Sequence, residues 1–97
     1  MKFDIEPATD GKHKFIGIFD ENEDGGREKR VPFGDKSYQD LTQHHNRIRK
    51  SQYLARHRAR EDWNDPMTAG SLSRWILWNT PSLQQNISLF KQRFHLE

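Results

Sequence analysis

The sequence predicts an α+β fold, with a small N-terminal antiparallel β hairpin or three-stranded element followed by about four short helices. Two observations carry that expectation. Residues 3–19 show the two-residue alternation of strands. From residue 46 onward, helix-capping residues and apolar spacings of three and four take over. The chain reads as one domain over residues 1–97, with a β part at 1–34 and a helical part at 35–97.

The elements follow in order. Phe3 and Ile5 alternate with charged residues, and Lys14, Ile16 and Ile18 alternate with Phe15, Gly17 and Phe19. Residues 20–26 form a polar loop closing on two glycines, which accept positive φ. Residues 27–33 return as a strand. Pro32 has no backbone N–H, so this strand lies at a sheet edge or ends there.

A short helix is expected after Asp35 or Ser37, with Tyr38 and Leu41 on one side. Asn46 caps a second helix that runs to about Arg60. Residues 61–66 are turn chemistry, with Trp63 packed into the core. Thr68 or Ser71 caps a third helix carrying Leu72, Trp75 and Ile76, which Asn79 ends. Thr80 caps the last helix, with Pro81 in its first position. Leu83, Ile87, Phe90 and Phe94 then fall at i, i+4, i+7 and i+11, a clean amphipathic stripe.

Composition sets the limits. Apolar residues are 32% of the chain and charged residues 31%, so the core is thin. Six Phe, three Trp and two Tyr compensate with large buried area per residue. There is no cysteine, which removes disulfide and thiolate chemistry. The N-terminal residues show no apolar signal region, so the expectation is a protein that is not secreted. The longest apolar cluster, residues 75–78, is too short for a membrane span.

The charge is unevenly placed. Residues 44–60 hold six Lys or Arg and no Asp or Glu, between flanking segments of net −3 and −1. Projected at 100° per residue, Ile48, Gln52, Ala55 and Ala59 form one stripe of the second helix. Arg49, Tyr53, Arg56 and Arg60 form the opposite one. The first stripe is read as the packing face, its alanines allowing close approach. The second interleaves an aromatic ring with guanidinium forks suited to phosphate, and Arg47, Lys50 and Arg58 widen it. A charge run is often just a solvated face, and Glu61, Asp62 and the acidic loop at 20–24 are available to pair with it. The run nevertheless lacks the i, i+4 acidic partners such a face usually carries.

Other chemistry is not supported. The five histidines include no pair at i, i+4, so no metal site and no cofactor are expected. No serine has nucleophile-elbow glycines, and no glycine loop cradles phosphate. Asp62 and Asp65 are better used in a turn than as an acid–base pair, so the protein is read as non-enzymatic, without a small-molecule substrate. Trp75 and Trp78, at i and i+3, are read as a core pair meeting Phe90 and Phe94. The alternative is that one, Trp78, is exposed as an interface anchor.

From Val31 onward the chain resembles a small uncharacterised family of nucleocytoplasmic large DNA viruses of mimivirus-, chlorella-virus- and iridovirus-like type. Phe33-Gly34 with Tyr38, Asp40 and Thr42 carries the resemblance, as do residues 53–63, the tryptophan-rich residues 65–83, and FKQRF at 90–94. The opening KFIGIF stretch is also similar, whereas Ser37 and Leu41 depart from the pattern. The resemblance implies a viral protein found in the virion or in the host cytoplasm or nucleus, and supplies no active site. The expectation is a structural or interaction protein, a minor virion component whose basic helix contacts other virion or assembly proteins. The alternative is a sequence-nonspecific protein binding DNA or RNA mainly through phosphates.

Overall fold

The computed structural model describes residues 1–21 and 27–97. Three antiparallel strands, β1 (Lys2–Pro7), β2 (His13–Asp20) and β3 (Glu28–Asp35), form a sheet in the order β1-β2-β3. The α+β reading therefore holds, with a three-stranded element and not a bare hairpin. Pro32 sits on the edge strand β3, opposite Ile16. The glycine-closed loop expected at 20–26 lies largely outside the described residues.

The alternation decides which face is buried. Phe3 pairs with Phe19, and Phe15 with Phe33, so odd-numbered side chains on all three strands share one side of the sheet. Phe3, Phe19 and Phe33 are fully buried there against Leu72, Ile76, Leu77 and Phe90. The Phe3 and Phe19 rings lie 5.0 Å apart, and Phe3 and Phe90 4.8 Å apart. Gly17, between them on β2, leaves room for Leu72, whose Cδ1 lies 3.0 Å from where a Cβ would stand. The backbone of Glu97 adds two hydrogen bonds to the start of the chain, from Phe3 N (2.9 Å) and to Met1 O (3.0 Å).

The helical part comprises α1 (Leu41–His44), α2 (Arg47–His57), α3 (Ala69–Leu72), which runs into a π-helical turn (Ser73–Leu77), and α4 (Leu83–Arg93). Asn46 caps α2 as expected, its side chain accepting from Ile48 N and Arg49 N. Thr68 caps α3 through Ser71 N. The stripe of α4 packs as read, with Phe90 buried and Leu83, Ile87 and Phe94 against the core.

Five local readings are corrected. The first helix begins at Leu41 with Asp40 as its cap, which leaves Tyr38 in the preceding turn, 70% exposed. Asp40 wins because its carboxylate accepts from Thr42 N and Gln43 reaches back to Asp40 N, a reciprocal capping box. The second helix stops at His57, so Arg58 and Arg60 lie in the turn beyond it. Ser82, not Thr80, caps α4. Thr80 instead receives Ser82 N and donates its hydroxyl to Asn86. Trp75 and Trp78 both pack against the core as read, but they part company at the π-helical turn, in which Trp78 N reaches back five residues to Ser73 O (3.1 Å). Trp75 lies under the guanidinium groups of Arg74 (4.2 Å) and Arg93 (3.8 Å), whereas Trp78 turns toward α2. Trp63 is only partly buried. Its indole N–H donates to Glu61 Oε2 (2.7 Å).

Gly34, at the end of β3, has φ +80°, and a Cβ there would lie 2.8 Å from Leu77 Cδ1. Left-handed backbone and a collision with the core act together. Gly34→Ala is expected to destabilise the fold by about 1–3 kcal/mol, read as a lowered midpoint in thermal unfolding.

Candidate anion-binding cleft

The main concavity is a cleft of about 760 Å³ between α2 on one side and the β3–α1 connection, α3 and the π-helical turn on the other. Its position follows from how α2 is rotated. Lys50, Tyr53, Leu54 and His57 recur at i, i+3, i+4 and i+7 and are the least exposed residues of that helix. Ile48 is 71% exposed, and Gln52, Ala55 and Ala59 are exposed as well. The face read as packing is thus outward, and Tyr53, read as part of an exposed stripe, is 7% exposed. Tyr53 wins the inward position because a tyrosine ring buries far more apolar area than an alanine.

Tyr53 stacks on Trp78, with ring centroids 4.4 Å apart and planes 4° from parallel, and on His57 at 4.2 Å. Trp78, read as an interface anchor, is therefore half-buried and covered by Tyr53 on α2. His44 packs on it in a tilted contact at 5.3 Å. Lys50 is likewise not a free cation. Its Nζ donates to Asn79 O (2.7 Å) beyond the π-helical turn. Burial pushes its pKa down, and Arg74 and Arg47 add to this. Burial also raises the pKa of the Tyr53 hydroxyl, with the charge of Glu61 acting in the same direction.

Arg49 and Arg56 flank Tyr53 and line the cleft together with Gln52. Among the described residues, Arg47, Arg49, Arg56, Arg58 and Arg60 form no ion pair. Among the described residues, none of the nearby carboxylates pairs with them. Glu61 lies 2.9 Å from His57 Nδ1 and also takes the Trp63 N–H. Asp62 and Asp65 accept backbone N–H groups of Asn64 and Met67. Asp40, 2% exposed, binds Lys14 Nζ at 2.6 Å, and the same ammonium donates to Gln43 Oε1 (2.7 Å). The Lys14–Asp40 pair joins β2 to the start of α1 across the cleft, and nothing in local sequence pattern announces it. The His57–Glu61 pair, by contrast, is visible in the sequence as an i, i+4 spacing.

His44 makes a pH-sensitive support beside Trp78. Its Nδ1 accepts from Asn46 N (2.9 Å), so the neutral ring carries its proton on Nε2, which is buried without a partner among the described residues. Burial lowers its pKa below 6.5, and Arg49 reinforces the shift. The unfolded chain then binds a proton more readily than the native one. Stability from this group is full above pH 6.5 and falls as the pH drops from 6.5 through the folded value. A thermal-unfolding series from pH 7.5 to 5 should show this loss, and His44→Asn should flatten it.

Among the described residues no cluster of three or more metal-binding side chains occurs, and no helix is long and apolar enough to cross a membrane. Residues 3–57, which take in nearly all of β1 and then β2, β3, α1 and α2, match one family. The chain belongs to that family, a family of unknown function (DUF5754). The family match thus includes the whole α2 wall of the cleft and ends before Glu61, α3 and Trp78 on the other side. No curated protein and no solved structure matches the chain.

Proposed function

We propose that this protein is a non-enzymatic interaction module that docks an anionic partner along α2 and the turn after it. The observation that carries this reading is the set of five arginines, Arg47, Arg49, Arg56, Arg58 and Arg60, that form no ion pair among the described residues. Like charges packed this closely repel one another, and an anion relieves the repulsion. Guanidinium forks suit carboxylate or phosphate equally well. Lys50, Tyr53 and Trp78 serve this module as structure, holding α2 in place, and not as contacts. The resemblance of residues 31–94 to large-DNA-virus proteins supports a place in a virion or its assembly, and absence of the protein from purified particles would remove that setting.

Retention on an immobilised anionic polymer tests the binding reading. The wild-type protein should elute only as salt rises, with affinity falling steeply with salt concentration. A variant with all five arginines replaced by glutamine should elute much earlier while keeping its circular dichroism spectrum. Equal elution of the two proteins would overturn the reading.

A further inference from the structure

We infer that the cleft beneath α2 holds one nucleotide of a single-stranded nucleic acid, with its flanking phosphates on Arg49 and Arg56 and its base against Tyr38. This rests on the anion-docking reading and names the partner class.

The cleft volume of about 760 Å³ falls in the range of sites that enclose a small organic ligand, and is far too small to admit a duplex. Its walls differ in charge. The Lys14–Asp40 pair is neutral in itself, and Glu61 is held by His57 Nδ1 and the Trp63 N–H. Beside these, the α2 wall carries two guanidinium groups that form no ion pair among the described residues, and the wall opposite carries the carboxylate of Asp35. Among the described residues the Asp35 carboxylate accepts only from Ser37 N (2.8 Å), which leaves further lone pairs for a ligand. Gln39 on the same wall adds an amide.

Such a site suits a ligand that is anionic at one end and rich in N–H donors at the other. A nucleotide has that form, with phosphate on one side and base amino or imino groups on the other. An acidic peptide meets Asp35 with repulsion, and a simple anion fills only half the cleft. Arg49 and Arg56 stand two turns apart, about 10 Å along the helix axis, and their long side chains can converge on successive phosphates of one strand. Tyr38 lines the same cleft, 70% exposed and in no aromatic stack among the described residues, an open platform for a base. Arg58 and Arg60, in the turn after α2, extend the cationic track beyond the cleft for the rest of the strand.

Fluorescence anisotropy with labelled single-stranded DNA and RNA of about 12 nucleotides, with a duplex of the same length, and with polyglutamate as competitor tests the inference. A single strand is expected to bind at least about tenfold tighter than the duplex, despite the duplex's higher charge density. Tyr38→Ala, at an exposed position, should weaken single-strand binding about tenfold and leave the salt slope unchanged, because stacking releases no counterions. Equal or tighter binding of the duplex, no effect of Tyr38→Ala, or polyglutamate competing as well as a single strand would overturn the nucleotide assignment. If retention on the anionic polymer persists in those cases, only the nucleotide assignment fails. If that retention is absent as well, the anion-docking reading fails with it.

Discussion

Asn86→Ala is expected to lower stability by about 3–5 kcal/mol, because one buried amide satisfies several backbone and side-chain groups at once. Asn86 is fully buried in α4. Its Nδ2 donates to Ile76 O (2.7 Å) and Thr80 O (2.9 Å), and its Oδ1 accepts from Thr80 N (3.0 Å) and the Thr80 hydroxyl (2.6 Å). Truncation leaves these partners without the amide, and each buried unsatisfied group costs about 1–3 kcal/mol. At about 4–8 °C per kcal/mol for a domain of this size, the unfolding midpoint should fall by more than about 12 °C. Asn86→Asp should also be strongly destabilising, since its carboxylate would face the Ile76 and Thr80 carbonyls. The effect reaches the cleft, because the same amide anchors the chain on both sides of Trp78. A midpoint within about 3 °C of wild type would show that the amide does not tie α4 to the π-helical turn.

Tyr53→Ala carries the second large effect. Removing a buried aromatic ring costs about 3–5 kcal/mol in a core, and here it also strips Trp78 and His57 of their stacking partner. Tyr53→Phe should stay within about 0.5 kcal/mol of wild type, because the hydroxyl makes no hydrogen bond among the described residues. Ile48→Lys and Ala55→Lys, on the outward side of α2, should likewise be near neutral. Chemical denaturation of the four variants checks the rotation of the helix. Strong destabilisation by Ile48→Lys with a mild effect of Tyr53→Ala would mean that α2 packs through its alanine side.

The sheet was legible because alternation along Phe15, Gly17 and Phe19 has no helical equivalent, and because Pro32 can stand only where no ladder N–H is needed. The last helix was legible because Leu83, Ile87, Phe90 and Phe94 leave a single apolar stripe. The rotation of α2 was not. That helix has few apolar residues, and Ile48 with two alanines imitates a packing face. The true pattern of Lys50, Tyr53, Leu54 and His57 becomes visible only if a lysine is allowed to bury its stem and carry its charge to a carbonyl, as Lys50 does at Asn79. The π-helical turn left no mark in residue spacing, so the split of Trp75 from Trp78 could not be read. The Asn86 hub and the Lys14–Asp40 pair depend on contacts between distant segments and have no local signature.

The candidate site was half legible. Arg49 and Arg56 were placed on one side of the helix, and the fold brings that side to a cleft. Their neighbour Tyr53 was assigned to the partner when it belongs to the protein's own core. Tyr38, assigned to a helix, turned out to be the exposed ring beside them.

On the proposed reading, Arg49 and Arg56 act through their place in the cleft and not merely through their share of the net charge. The most direct measurement is the affinity for a single-stranded oligonucleotide of two charge-matched variants, Arg49→Gln with Arg56→Gln and Arg58→Gln with Arg60→Gln. The cleft pair should lose about tenfold or more relative to the turn pair, with both variants folded. Equal losses would show that the cationic run binds through bulk charge alone and would contradict the account.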